Sequence, residues 1–474
     1  MSVNTKHKDY QQNKEIWDLV RDCLRGSNRI KEMGVKYLPD PKSSSGSNLS
    51  AGYANYLLRA LFYNVTAVTL QGLVGSVFRK PAKFEMPEEM SYMEDNADGS
   101  GLGLDIIAKK AYTDAVSIGR CGLLSDFPVS AENVTAKDVE DFNLKGMIQH
   151  YPAESIVNWR TKKIGSINVL DLVVLNEKKC IYSNDFTYEE HNMFRVLGLD
   201  DENNYYQQEH LQLYDAKNKD FSFVVGDVIY PKKSDGTTFN GIPFTFVGSN
   251  DNGVCVNKSP MADLAEVNIA HYRNSADNEE MLFITGQPTL VLSGLNSSWI
   301  EDQFKGKIEL GAKSVLFLPE GGAAQMMQIM PNQAIKEAMA VKQELMVALG
   351  ARLISNSNQI ESAEAKRLKQ GGEASVLSTI AQNVSQAVEK CLKWVAEFNG
   401  VDSEEITYHI NRDFFDNKIK PEEVKALVEL WQQQIIPKSV VRDNLRAGEI
   451  INEDLTDDIL DSEIESFGAT VRNE

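Results

Sequence analysis

Nucleophiles, metal ligands and phosphate cradles are the residue patterns that most directly announce chemistry, and each of them breaks off in this chain before it makes a site. The run Gly99-Ser-Gly-Leu-Gly103 has glycines at the spacing of a phosphate loop, where backbone N–H groups hold the anion. It lacks the Gly-Lys-Ser/Thr ending and follows the acidic stretch Glu94-Asp-Asn-Ala-Asp98 rather than a strand, so it reads as a plain loop. The six histidines (His7, His150, His191, His210, His271, His409) stand alone. None forms HxxxH or HExxH or pairs with a cysteine at ligand spacing, and no zinc site is expected. Glu189-Glu190-His191 reads as a charged turn, and no Gly-x-Ser-x-Gly elbow presents a nucleophilic serine. Asp457-Asp458 belongs to an acidic tail and reads as solvated charge. The expectation is a chain that is not an enzyme, with no catalytic residue, no metal ligand and no cofactor.

Residues that could touch a polymer are better placed. Ser355, Asn356, Ser357 and Asn358 make a short uncharged polar loop between two helical segments. Side chains of this kind contact a phosphate backbone weakly and without reading bases. Lys366, Arg367 and Lys369 follow at the start of a long helix, where the plain reading of such cations is a solvated helix face. Gly371-Gly372 interrupts that helix. Each glycine costs about 1 kcal/mol relative to alanine in a helix interior, so a kink or break is expected there.

Three helical segments position these residues. The first opens at Ser259-Pro260 with Asp263 and Glu266 near its start, and its apolar stripe reads Ala262, Ala265, Ile269, Tyr272, Ala276, Phe283. A β-like insert follows, with strands expected at 289–292, 314–318 and 325–329 and a short helix near 297–304. Pro331 starts the second segment, with Ile335, Ala338, Met339, Leu345, Met346, Leu349 and Leu353 on one face. The third starts near Asn358-Gln-Ile-Glu361 and carries Ile380, Ala381, Val384, Val388, Cys391, Leu392, Val395 and Phe398 at helical spacing. Upstream, periodicity predicts helices over 13–33, from about 50 to a fading end at Gly72 and Gly75, and over 105–117, with a strand at 119–127. From 146 to 247 the texture is β, with strands at 166–175, 179–183, 193–197, 210–214 and 221–225, as suits an antiparallel sheet with one solvated face. Beyond the third segment come a strand at 406–410, helices opened by Pro421 and Pro437, and an acidic tail over 449–465.

Three strings carry a resemblance. Residues 56–81, an aromatic-rich helix running through glycines into Phe78-Arg-Lys-Pro81, are similar to the N-terminal wing signature of tailed-bacteriophage portal proteins. Tyr151-Pro-Ala-Glu-Ser-Ile-Val-Asn-Trp159 resembles a strand and turn of the portal wing. Val267-Asn-Ile-Ala-His-Tyr-Arg-Asn-Ser-Ala-Asp277 followed by Thr285-Gly-Gln-Pro288 resembles the first stem helix entering the clip. The resemblance covers most of 50–398. It implies an α+β fold of portal architecture: a mixed α/β wing (1–259), first stem helix (260–283), β-rich clip (284–330), second stem helix (331–354), tunnel loop and long wing helix (355–400), a wing sheet return (401–420) and a small helical crown with the acidic tail (421–474). It further implies a homo-oligomeric ring, commonly of twelve subunits, at one capsid vertex of the virion, assembled in the host cytoplasm. Double-stranded DNA would pass along the axis past Ser355, Asn356, Ser357 and Asn358 as the tunnel loop, with Lys366, Arg367 and Lys369 facing that DNA or a neighbouring subunit. The large terminase subunit would dock during genome packaging, a tail adaptor protein afterwards, and the major capsid protein would surround the ring.

Composition bounds these readings. A chain of 474 residues suggests two to four domains, and 42% hydrophobic with 25% charged residues is normal for folded protein. The net charge of −19 lacks the basic footprint of a sequence-specific DNA binder. Five scattered cysteines without a CxxC argue against structural disulfides. Residues 1–13 show no apolar leader core, and the uncharged stretch 60–78 is too diluted by Asn64, Thr66, Thr69, Gln71, Gly72, Gly75 and Ser76 to span a membrane. The alternatives are another ring-forming capsid or scaffold component, which the helix–insert–helix order disfavours, and a phage nuclease or motor subunit, which would need the carboxylate cluster or phosphate loop that the sequence lacks.

Overall fold

The computed structural model describes residues 2–42, 49–128, 144–215, 220–287, 289–295, 297–298, 318–327, 332–354, 363–412, 421–433, 435–447, 450–451 and 455–462. The chain divides into two units, Met1–Ile410 and Asn411–Glu474. The fold is α+β.

In the first unit, α1 (Lys8–Arg25) is capped by His7, whose Nδ1 accepts the Asp9 N–H at 3.2 Å. The single helix expected over 13–33 is two. Gly26 sits at φ +84°, a left-handed conformation open to glycine, and α2 (Ser27–Glu32) starts anew after it. The next expected helix is also divided, and not at its glycines. Helix α3 (Tyr53–Arg59) stops before Ala60, and α4 (Val65–Val77) starts after Asn64, which accepts the Ala67 N–H, and then runs through Gly72 and Gly75.

Strand β1 (Lys83–Glu85) is followed by α5 (Leu104–Ser117), close to its predicted span, and β2 (Arg120–Asp126). With β3 (Met147–Pro152) and β9 (Phe244–Gly248), β2 makes an antiparallel sheet in the order β3-β2-β9. A second antiparallel sheet is a simple meander of β4 (Ile156–Ile164), β5 (Ile167–Tyr182), β6 (Tyr188–Leu199), β7 (Tyr205–Asp215) and β8 (Asp220–Ile229). Here β5 is one long strand where two are expected. Its mid-strand Glu177 accepts the Tyr151 hydroxyl at 2.5 Å and lies 3.1 Å from Arg195 Nε, so the charge marks a tertiary partner and not a turn.

Helix α6 (Ala262–Thr285) leads into β10 (Thr289–Ser293), which pairs antiparallel with β11 (Ala323–Met327), and the chain returns along α7 (Gln333–Ile354). The strands expected at 289–292 and 325–329 correspond to this pair. The strand expected over 314–318 and the helix near 297–304 lie almost wholly outside the described residues. Helix α8 (Ala363–Asn399) runs through Gly371-Gly372 without ending there. Ile380, Ala381, Val384, Val388, Cys391, Leu392 and Val395 are fully buried against α5, β2 and β9, which makes α8 the spine of the core. Strand β12 (Thr407–His409) returns to pair with β1.

The second unit holds α9 (Pro421–Gln432), at its predicted start, and α10 (Lys438–Ala447), one residue after the expected Pro437. Arg446 and Arg442 hold Asp457, and Lys438 and Arg442 hold Asp461. Those tail carboxylates are tied down rather than freely solvated, which corrects the reading of Asp457.

Candidate functional site

The feature with functional character is the helical hairpin α6–α7 with its β10–β11 tip. Its pairing is antiparallel along the whole length. The Asn332 N–H lies 3.0 Å from Met281 Sδ near the tip, Gln343 Nε2 lies 3.3 Å from His271 Nε2 nearer the base, and Thr289 stands opposite Met327 beyond the helices.

The base is built by α3 and α4 closing on α6. Tyr56 donates to Asp277 Oδ1 at 2.6 Å, and Arg59 pairs with Glu280 while its guanidinium lies 4.1 Å from the Phe283 ring centroid. Asn268, fully buried, bonds the break between α3 and α4: its Nδ2 donates to the Tyr63 carbonyl at 2.6 Å, and its Oδ1 accepts the Thr66 hydroxyl at 2.8 Å. This explains where that helix breaks. The Tyr63 carbonyl and the Thr66 N–H have a tertiary partner, so the chain need not stay helical there. On α7, a Cβ at Gly350 would stand 3.2 Å from Thr69 Oγ1, so the glycine lets α7 approach α4 closely. His271 is buried at the same junction. Burial, and then the charge of Lys342, hold its imidazole below the ordinary value, so it is neutral at pH 7. The two strings 56–81 and 267–277 are therefore packed together, though about 200 residues separate them in sequence.

Leu282, Phe283 and Ile284 are exposed on α6 toward the tip, and Val341, Leu345 and Val347 are exposed on α7 nearer the base, the last at 67%. Of the apolar face predicted for α7, Met346 is buried, Leu345 is exposed, and Ile335, Ala338, Met339 and Leu349 are half-buried. Periodicity found the face, of which Leu345 stands exposed among the described residues.

The other predicted site residues fall elsewhere. Ser355, Asn356, Ser357 and Asn358 lie outside the described residues. Lys366, Arg367 and Lys369 lie in the first turns of α8. In the 99–103 loop, Asp98 accepts the Ser100 and Leu102 N–H groups and Asn96 accepts that of Gly101, so the amides a phosphate would need are already bonded. Among the described residues no cluster of three potential metal ligands occurs, and no helix is long and apolar enough to cross a membrane. All five cysteines are free, with Cys23, Cys121 and Cys391 buried.

No curated protein matches the chain. A solved structure titled "Neck of native GTA particle computed with C12 symmetry" aligns over 87% of this chain and 98% of its own, at 10% sequence identity and a TM-score of 0.37. Residues 260–399, the stretch from the start of α6 to the end of α8, match a family described as "Domain of unknown function (DUF4055)".

Proposed function

We propose that the chain is a tailed-bacteriophage portal protein, a non-enzymatic ring at one capsid vertex through which double-stranded DNA enters and leaves. The observation that carries this reading is the α6–α7 hairpin, with its antiparallel strand tip and its uncovered apolar residues Leu282, Phe283, Ile284, Val341, Leu345 and Val347. A monomer that leaves these side chains in water forgoes the free energy of burying them, and a closed array of copies recovers it. In this reading the hairpin is the stem and clip, and residues 355–358 line the narrowest part of the channel. The clip takes the large terminase subunit during packaging and the tail adaptor afterwards, and the major capsid protein surrounds a ring of twelve. A net charge of −19 suits a conduit, because a strongly cationic bore would hold DNA through counterion release and slow its passage. Native mass spectrometry and negative-stain microscopy of the purified chain test the reading. Closed rings of many copies are expected, and a stable monomer at micromolar concentration and moderate salt overturns it.

A further inference from the structure

The β4–β8 sheet extends beyond its cover. From about residue 176 on β5, before Asn192 on β6 and along all of β8, both faces are exposed or half-exposed, and Tyr182, Tyr188, Tyr214, Phe221, Val224 and Val225 stand in solvent. This corrects the expectation of a sheet with one solvated face. Strand β8 is also the last in the sheet order, so its outer backbone groups have no partner strand among the described residues. Edge strands are ordinarily blunted by lysine, proline or shortness, because an open edge recruits another strand. With ten residues, β8 has neither lysine nor proline, and its only charges are Asp220 and Asp227.

The opposite edge of the sheet differs in kind. The near half of β4 is covered: the His7 N–H donates to the Val157 carbonyl at 2.9 Å, and the His7 ring stacks on Trp159 at 4.0 Å. Its far half carries Arg160, Lys162 and Lys163, of which Arg160 and Lys162 share a single carboxylate, Asp171. One open edge is therefore acidic and the other basic.

We infer that the outer edge of β8 in one copy of this chain adds to the far half of β4 in the next, so that the sheet continues from subunit to subunit. Charge selects this arrangement over a two-fold one. An antiparallel β8–β8 pair centred on Phe223 and Val224 would set Asp220 opposite Asp227, and like charges directly opposite are destabilising. The head-to-tail pair instead brings Asp227 to Arg160, Lys162 and Lys163. Because the five strands alternate in direction, β4 and β8 run the same way, and the new pair is parallel. Such a contact is heterologous, and it closes only as a ring. The inference rests on the ring reading for its closure, but the contact is tested separately.

The test places a benzophenone photo-crosslinker in the full chain as Val225→p-benzoylphenylalanine, mixes isotope-labelled and unlabelled copies, and maps the joined peptides. Mixed-isotope cross-links from position 225 to residues 158–164 are expected. In the same assay Asp227→Lys raises the concentration needed for assembly about tenfold, and adding Lys163→Glu restores it. Closed rings whose cross-links run between two β8 strands, run to another surface or do not form overturn the edge contact and leave the ring reading standing. Cross-links to 158–164 in open chains without rings keep the contact and overturn the ring. A monomer without intermolecular cross-links overturns both.

Discussion

Arg21 reaches from α1 to carboxylates on two other elements: its Nη1 donates to Asp114 on α5 at 2.7 Å, and its Nε to Glu154, between β3 and β4, at 2.7 Å. His150 Nε2 stands 3.2 Å from the other Asp114 oxygen. Burial alone would raise the Asp114 carboxyl, but His150 and Arg21 outweigh it and hold the group below its ordinary 3.8. Removing one partner of a buried pair leaves the other charge uncompensated, so Arg21→Ala should cost about 3 kcal/mol, read as a lower melting temperature at pH 7. The sign of the pH effect follows from the depressed value. The pair's contribution is complete above 3.8 and is lost as pH falls through the lower folded value. The gap between wild-type and Arg21→Ala melts should therefore close only under strong acid; a gap of constant size from pH 7 to pH 2 would refute the assignment. Nothing in the spacing of Arg21, Asp114, His150 and Glu154 announces this cluster, because its members meet only when α1 folds onto the sheet.

At the scale of elements, the hairpin separates into a base anchored by α3 and α4 and a tip anchored by little. The anchors Asn268, Asp277 and Glu280 all precede residue 286, and the contact of Asn332 with Met281 shows that the facing helix ends are adjacent. A short Gly/Ser linker replacing residues 286–328 should therefore close with little entropic cost. The variant is expected to keep its circular-dichroism spectrum and to melt within about 5 °C of the wild type, since it loses none of these anchors. It should fail in a DNA-packaging assay, because motor and adaptor are expected to grip the excised tip. Normal packaging by the variant would show that the tip is not the docking element.

For the whole molecule, the proposed conduit makes a prediction about affinity. A chain of net charge −19 can neutralise few phosphates at once, so duplex binding should be weaker than about 10⁻⁵ M at physiological salt and indifferent to sequence. Fluorescence anisotropy with two unrelated duplexes, between 50 and 200 mM salt, measures this. A tight complex with one sequence that survives the higher salt would indicate a different class of protein.

Hydrophobic spacing and capping residues act locally, and where local signals decided the outcome the sequence was enough. Pro421 opens its helix as expected and the last helix starts at Lys438, one residue after the expected Pro437; α5, α6 and α7 lie close to their predicted spans, and the buried stripe of α8 from Ile380 to Val395 is the periodic one. The absence of a phosphate cradle at 99–103 was also readable, from the missing lysine and the acidic lead-in. Other features were settled by partners distant in sequence. The α3–α4 break follows Asn268, the continuity of β5 through Glu177 follows Tyr151 and Arg195, and two tail carboxylates follow α10. Whether an apolar residue is covered also belongs to the tertiary structure. The apolar residues of α7 and β8 read like any others in sequence, and only the packed chain shows which of them it leaves uncovered, because burial depends on what else folds against them.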